Sequence, residues 1–212
     1  MDSIDGNDSI DGNDRIDDTA YWKEFYALPP LLLPQTCSAF CEFVMEYFAN
    51  DDGIRNVLDA GCGNGRDSFA LAERYLVDAV DNSGFLPDSS SEDRMLRCRF
   101  FTGDFVSCDK GAYDLVYSRF TLHAIPDQDQ RRFLESILPD TYLAFEARST
   151  LDRDRDHVHG NGHYRNHVDL AGIRALLVEV GYEIVYMREG DNVAVYKTEN
   201  PVCIRAICRR KR

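Results

Sequence analysis

The feature that most constrains this chain is the run from Val57 to Asp67, with the sequence VLDAGCGNGRD. An apolar segment of strand length leads into three alternating glycines, and a helical pattern follows. Glycine adopts positive φ at little cost and lets a ligand approach the backbone closely. The first turn of the next helix offers N–H groups to a bound anion or nucleotide. The run therefore predicts a strand–loop–helix unit that binds a nucleotide-like ligand.

From Asn56 onward, apolar runs of strand length alternate with helical patterns. Strands are predicted at Asn56–Ala60, Leu76–Val80, Arg97–Thr102, Tyr113–Ser118, Tyr142–Glu146, Glu183–Met187 and Val202–Ile207. Helices are predicted at about 66–75, 127–138 and 169–180. This alternation is typical of a Rossmann-like α/β fold, a mostly parallel sheet with helices on both faces. The last two predicted strands have no helix between them, so we expect them to pair antiparallel at one edge.

The N-terminal 20 residues differ from the rest. The hexapeptide SIDGND occurs twice, at residues 3–8 and 9–14, and the order of acids in a calcium-binding loop is missing. We interpret residues 1–20 as a disordered acidic tail and residues 21–212 as one domain. Residues 21–50 are predicted to form N-terminal cap helices, the second of which runs from an N-cap at Thr36 to about Asn50.

Composition narrows the partners and the compartment. Lys and Arg total 24 against 37 for Asp and Glu, a formal net charge of −13, which disfavours nucleic acid and anionic membranes as partners. The chain contains no apolar run of the ~20 residues that a membrane helix needs. Seven cysteines without a CxxC pair indicate reduced, buried thiols and a cytoplasmic protein. The sequence leaves the oligomeric state open.

Acidic residues at successive strand ends identify the ligand of the glycine loop more closely. A dinucleotide site needs the spacing G-x-G-x-x-G, whereas this chain has G-x-G-x-G with Asp59 two positions before Gly61. Asp81 ends the second strand, where a carboxylate can hold both ribose hydroxyls of a nucleoside. Asp104 and Phe105 follow the third strand, and an acid beside an aromatic ring suits an adenine amino group and ring.

The sequence resembles the class I methyltransferases that depend on S-adenosylmethionine (SAM), within the small TehB-like or methyltransferase-25-like group. The similarity covers about residues 21–207 and includes YWKEFYA, GCGNGRDS, YSRFTLHAI and HYR. It implies the strand order 3-2-1-4-5-7-6, SAM as methyl donor and S-adenosylhomocysteine (SAH) as product. The cofactor contacts expected on this basis are Asp59, Gly61, Cys62, Gly63, Asp81, Asn82, Asp104, Phe105 and Tyr26. The chain departs from the family pattern before the fifth strand, where LPDT replaces a Pro-Gly-Gly turn.

Two arginines and a histidine are the candidates for the methyl acceptor site, because ligands bind beyond the carboxyl ends of parallel strands. Arg119 and Arg148 would hold an anionic acceptor by bidentate contacts, or they would pair with nearby acids. An anionic oxygen needs no base, whereas a neutral hydroxyl would need His123 as general base. The alternative for His123 is a structural role in a cap or in the core.

A polar segment at residues 150–167 is predicted to be a mobile lid over the acceptor. It contains His157, His159, His163 and His167, so a zinc or nickel site is an alternative, although we predict no resident metal. Tyr164 and Arg165 of this segment are expected to touch the acceptor. Tyr21 and Tyr26, with their aromatic neighbours, would close the opposite side.

These patterns together predict a SAM-dependent O-methyltransferase of a small, anionic metabolite that carries a phosphate, phosphonate or carboxylate. One alternative is methylation of another small nucleophile, such as an amine, a thiol or a metalloid oxyanion. The other alternative is a non-catalytic SAM-binding sensor or subunit.

Overall fold

A computed structural model describes residues 18–29, 33–34, 36–85, 96–111, 113–153 and 163–212. Its helices are α1 (Thr19–Tyr26), α2 (Ala39–Tyr47), α3 (Arg66–Leu71), α4 (Asp127–Ser136) and α5 (Leu170–Val180), with short 3₁₀ turns at Leu122–Ala124 and Thr150–Asp152. Its strands are β1 (Asn56–Ala60), β2 (Leu76–Asp81), β3 (Cys98–Thr102), β4 (Leu115–Arg119), β5 (Tyr142–Arg148), β6 (Tyr182–Gly190) and β7 (Cys203–Arg210).

The seven strands form one sheet in the order β3-β2-β1-β4-β5-β7-β6, which confirms the predicted order. Strands β1 to β5 pair in parallel, and β7 lies antiparallel between β5 and β6. The expected antiparallel pairing of the last two strands is also confirmed. All the parallel strands therefore end at one edge of the sheet, where a ligand can meet residues from several of them.

Helices cover both faces of the sheet, and each face has its own apolar core. Phe40 and Val44 of α2 pack with Val57 on one side, whereas Phe133 of α4 and Leu177 of α5 belong to the core on the other side. Alternation of side chains along a strand explains this division. Strands β4 and β5 are buried along almost their whole length because both of their faces are covered.

The start of α2 differs from the sequence prediction. The predicted N-cap at Thr36 is wrong, because the Ser38 hydroxyl accepts the Cys41 N–H at 3.0 Å and caps the helix. Ser38 also donates to the buried Asp67 carboxylate at 2.7 Å, a contact with a residue 29 positions away. This tertiary contact selects Ser38 over Thr36. Helix α2 ends at Tyr47 rather than near Asn50.

Parts of the predicted tail and lid lie outside the described residues, namely residues 1–17 and 154–162 with His157 and His159. Helix α1 begins at Thr19, slightly before the predicted domain boundary. All seven cysteines are free thiols. None of the helices in the described ranges is long and apolar enough to cross a membrane.

Candidate cofactor and acceptor site

A cavity of about 520 Å³ opens at the carboxyl ends of β1, β2, β4 and β5. Twelve of the fifteen predicted site residues line it: Tyr26, Asp59, Gly61, Cys62, Gly63, Asp81, Asn82, Phe105, Arg119, His123, Arg148 and Arg165. The described residues that line the cavity do not include Tyr21, Asp104 or Tyr164. The sheet edge therefore brings most of the predicted residues together.

The glycine loop has the backbone geometry that its sequence predicts. Gly61, Gly63 and Gly65 have φ values of 81°, 55° and 77°, in the left-handed region that favours glycine. A Cβ atom on Gly61 would clash with the Thr121 methyl group, so this position also needs glycine for close packing. The Gly63 N–H donates to Asp81 Oδ2 at 2.9 Å, which joins the loop to the end of β2.

Asp59 is a buried carboxylate at the base of the loop. It is 2 % exposed, and its Oδ2 accepts the Ser68 hydroxyl at 2.6 Å. Burial raises the pKa of Asp59 to about 8, and the nearby Asp67 and Asp81 carboxylates add to the rise. A cationic ligand group beside Asp59 would favour its ionised form, so the site is suited to a positive charge.

Asp104 lies apart from the cavity. Its Oδ1 accepts the Val106 N–H at 3.0 Å and its Oδ2 accepts the Ser107 hydroxyl at 3.0 Å, so the carboxylate caps the turn that follows β3. Phe105, the next residue, does line the cavity. The contacts of Asp104 with an adenine amino group and of Phe105 with its ring therefore stay predictions.

Arg119 lies in the cavity wall in an ion pair. Its Nε donates to Glu146 Oε1 at 2.9 Å, and the other oxygen of Glu146 accepts from Arg205 Nε at 2.5 Å. The Arg119 guanidinium also lies 4.1 Å from the centre of the Phe120 ring, a cation–π contact. Arg119 therefore pairs with a nearby acid, which was the alternative to a role in binding an anionic acceptor.

Arg148 is held still more closely by acidic neighbours. It is 5 % exposed, its Nη1 donates to Asp152 Oδ2 at 2.9 Å, and its Nη2 donates to Glu199 Oε2 at 3.0 Å. Asp152 is fully buried. Both predicted anion-binding arginines thus line the cavity while already bonded to carboxylates.

His123 is buried, and its ring is oriented by the backbone of β5. Its Nδ1 accepts the Arg148 N–H at 3.1 Å, so the neutral imidazole carries its proton on Nε2. Burial, reinforced by the Arg148 and Arg165 guanidinium groups, holds the pKa of His123 well below its ordinary value of 6.5. His123 lines the cavity, and in this tautomer its ring carries an N–H rather than a lone pair at Nε2.

Helix α1 and the segment at residues 163–166 meet over the cavity. The Tyr164 N–H donates to Asp18 Oδ2 at 2.8 Å, and the Trp22 and His163 rings lie 4.7 Å apart. Arg165 lines the cavity, and its Nε donates to His163 Nε2 at 3.3 Å. The N-terminal aromatic helix and the end of the predicted lid therefore do meet. Tyr21, however, contacts His163 and is not among the described residues that line the cavity.

The sequence interpretation missed part of the site. Phe120 lines the cavity with a left-handed φ of 61°, which is a strained conformation for a bulky residue. Tyr196, Lys197 and Glu199, which precede β7, also line it. The sequence indicated only that no helix separates the last two strands, which does not predict that their connection lines a cavity.

Comparison with known proteins now identifies the class of this site. A family model described as a methyltransferase domain matches residues 57–139, which include the glycine loop, Asp81 and Phe105. Residues 57–139 therefore match a methyltransferase domain.

A curated relative of the methyltransferase domain is trans-aconitate 2-methyltransferase of Deinococcus radiodurans. It is 30 % identical over 101 residues, which cover 45 % of this chain and 39 % of the relative. The chain therefore matches about two fifths of the length of that relative.

Solved structures share the fold of the methyltransferase domain over most of its length. The Burkholderia thailandensis 1,6-didemethyltoxoflavin-N1-methyltransferase superposes with a TM-score of 0.62 at 18 % identity, covering 82 % of this chain and 77 % of that one. The magnesium protoporphyrin IX methyltransferase from Synechocystis PCC 6803 gives a TM-score of 0.62 at 21 % identity, covering 81 % and 82 %. Both of those proteins were solved with bound SAH.

The residues of the methyltransferase domain fit SAM by their chemistry. Asp59 is a buried acid suited to a cation, and Asp81 lies at the strand end where ribose hydroxyls are held in such folds. Tyr26 and Phe105 also line the cavity, and their rings would suit an adenine ring or a sulfonium. Among the described residues, no three metal-ligating side chains converge on one point.

Proposed function

We propose that this protein transfers a methyl group from SAM to a small anionic acceptor. The observation that carries the proposal is that one cavity is lined both by acids beside the glycine loop and by arginines from other elements. Asp59 and Asp81 lie at the ends of β1 and β2, which we call the cofactor end, whereas Arg119 and Arg148 end β4 and β5 and Arg165 lies in the segment at residues 163–166, which we call the acceptor end. A cationic donor and an anionic acceptor would each meet groups of opposite charge.

The cofactor end would hold SAM through residues of three strand ends. Asp81 would accept the ribose hydroxyls, Asp59 would face the cationic methionine end, and Phe105 would pack on the adenine. SAM, when bound, supplies an electrophilic methyl group. The chain itself orients the two reactants and excludes water from the space between them.

Arg165 is the arginine that we assign to the acceptor. Arg165 lines the cavity, and burial, followed by the neighbouring Arg148 guanidinium, lowers its pKa, whereas the Glu199 and Asp152 carboxylates raise it. An anion bound beside Arg165 would offset the cost of burying its charge. Arg119 and Arg148 line the cavity as well, and each pairs with a carboxylate.

The acceptor class that we propose is a carboxylate. The curated relative is named for trans-aconitate, which is a carboxylate anion. A carboxylate oxygen is already a nucleophile, so methyl transfer needs alignment rather than a general base. This agrees with a resting His123 that donates through Nε2 instead of accepting a proton.

Turnover of SAM to SAH with a panel of small molecules tests the proposal. The panel contains trans-aconitate and benzoate as carboxylates, methylphosphonate as another anion, and ethanolamine as a cation. We expect turnover with a carboxylate. Arg165→Gln should raise the acceptor KM by about tenfold or more, as for loss of a charge-assisted contact, and leave the Kd for SAH within about twofold.

A matched control for Arg165→Gln is Arg99→Gln. Arg99 lies on the edge strand β3, where its exposed side chain pairs with Asp78. This variant should leave the acceptor KM unchanged. Turnover of ethanolamine alone would show that the acceptor is an amine. Binding of SAH without turnover of any panel member would favour a SAM-binding sensor, and absence of SAH binding would contradict the cofactor itself.

A further inference from the structure

The connection between β6 and β7, residues 191–202, forms a wall of the acceptor end. Ala194, Tyr196, Lys197, Glu199 and Pro201 line the cavity from this connection. Its tip is a tight turn in which Tyr196 and Glu199 exchange two backbone hydrogen bonds of 2.9 Å each. Lys197 adopts φ of 53° inside this turn. This wall is therefore the tip of a hairpin, and it lines the same cavity as the glycine loop.

Hydrogen bonds also hold the base of the connection. The Asn192 N–H donates to Asn200 Oδ1 at 2.7 Å, and Asn200 Nδ2 donates to Asn192 Oδ1 at 3.0 Å. Just beyond, the Val202 N–H donates to Asp152 Oδ1 at 2.9 Å. Asp152 is thus shared between the start of β7 and the guanidinium group of Arg148.

One side-chain contact joins the tip of the connection to β5. Glu199 Oε2 accepts from Arg148 Nη2 at 3.0 Å, and the two side chains are 8 % and 6 % exposed. A buried ion pair adds little net stability relative to apolar residues of similar size, because both charges lose their hydration. Breaking the pair is costly for the same reason. Such a pair is therefore better suited to fixing the position of its two partners than to raising stability.

We propose that Glu199 is a positioning residue that clasps the β6–β7 connection to Arg148 and thereby sets the affinity for the acceptor. The clasp holds Tyr196 and Lys197 against the acceptor end and fixes the direction of the Arg148 side chain. The glycine loop and Asp81 lie on other elements, so the cofactor end does not depend on it. The part of this inference that concerns the acceptor rests on the proposed function, whereas the clasp itself does not.

Limited proteolysis of the full chain with trypsin tests the clasp without any substrate. The peptide bond after Lys197 lies at the tip and should be protected while the clasp holds. Glu199→Gln keeps the size of the side chain and removes its charge. We expect cleavage after Lys197 to accelerate by about tenfold, as for a weakened buried charge pair, while cleavage after Arg99 stays unchanged.

Glu183→Gln is the matched control, because it removes the same charge from an exposed position on β6. It should leave cleavage after Lys197 as in the wild type. Faster cleavage at all sites in Glu199→Gln would mean a general loss of stability, and unchanged cleavage after Lys197 would mean that no clasp exists. Either result overturns the proposal.

Kinetics with the carboxylates of the panel test the effect on the acceptor. Glu199→Gln should raise the KM of the carboxylate that turns over by about tenfold, with little change in kcat and in the Kd for SAH. A lower KM would show that Glu199 repels anions instead of positioning the wall, and it would overturn the role in affinity. If no carboxylate turns over, the proposed function fails together with that role, and the trypsin result still decides the clasp.

Discussion

The backbone N–H of Arg148 donates a hydrogen bond to Nδ1 of His123 across 3.1 Å. This bond joins the end of β5 to the 3₁₀ turn after β4 and selects one tautomer of the imidazole. The ring therefore presents an N–H, rather than a lone pair, through Nε2. A residue that the sequence favoured as a possible base is placed by the fold as a donor.

The depressed pKa of His123 has a consequence for stability. Because the folded pKa lies well below 6.5, the unfolded chain binds more protons as the pH falls through and below that value, so the folded state loses stability on acidification. His123→Gln removes this loss. Between pH 7 and pH 5 the wild type should lose about 2 kcal/mol more than the variant. Urea unfolding at the two pH values measures the difference, and equal losses would contradict the buried neutral ring.

Catalysis should also show that His123 is not a base. Wild type and His123→Gln should give kcat profiles of the same shape between pH 6 and pH 8, since the pKa of His123 lies well below its ordinary value. Glutamine can still donate, so its kcat should fall by no more than about tenfold, whereas His123→Ala should lose about tenfold more. Loss of an inflection in the glutamine variant would restore the role of general base.

Asp59 should couple SAM binding to proton release. The pKa of about 8 means that the carboxyl is mostly protonated at pH 6.5, and a cation placed beside it favours ionisation. The Kd for SAH should fall by about tenfold from pH 6.5 to pH 8.5. In Asp59→Asn the Kd should be higher than in the wild type and should not change with pH. Calorimetry in two buffers of different ionisation enthalpy counts the released proton. A wild-type Kd that does not change with pH contradicts this coupling.

The same pKa shift predicts how stability varies in the absence of cofactor. The pKa of Asp59 is raised from 3.8, so between about pH 4 and pH 8 the folded state binds more protons and stability falls as pH rises. Asp59→Asn should therefore be more stable than wild type at pH 8.5, by on the order of 1 kcal/mol or more. At pH 4 the two proteins should differ little. Thermal unfolding at both values supplies the comparison.

Substitutions at two glycines with positive φ distinguish the effect of backbone strain from the effect of a steric clash. Gly84 has φ of 70° and open space around its Cα, whereas Gly61 has φ of 81° and faces Thr121. Gly84→Ala should cost about 1 kcal/mol of stability and leave SAH binding unchanged. Gly61→Ala should cost about 1–3 kcal/mol more and weaken SAH binding by at least about tenfold. Similar behaviour of the two variants would mean that the packing of Gly61 has no role in the site.

Asp18 should control how long the cofactor stays bound. Its carboxylate accepts the Tyr164 N–H and holds α1, with Trp22 and Tyr26, against the segment that carries Arg165. Asp18→Ala should raise the dissociation rate of SAH by about three- to tenfold, because such losses appear mainly in that rate. Glu24→Gln, on the exposed side of α1, serves as the control. Stopped-flow displacement measures both rates, and equal values would exclude α1 as a lid.

The sheet order came from the family resemblance, whereas the sequence by itself determined the strand pattern, the glycine loop and the strand-end position of Asp81. These depend on local rules: the period of apolar residues, the freedom of glycine at positive φ, and the constraint that parallel strands place their carboxyl ends at one edge. Residues that lie at or shortly after a strand end, such as Asp59 near the end of β1 and Phe105 after β3, could therefore be assigned to the cavity from spacing and resemblance. The ends of helix α5 also follow from local sequence, since Asp169 caps its N-terminus and Gly181 caps its C-terminus.

Only the tertiary structure decided which partners the charged residues have. Arg148 and Glu199 are 51 positions apart, and they meet because β7 inserts between β5 and β6. The tautomer of His123, the pairing of Arg119 with Glu146, and the choice of Ser38 as N-cap depend on contacts of the same long-range kind. Hydrogen bonds and ion pairs form with whatever the fold brings within about 3 Å, and no local period in the sequence encodes that proximity.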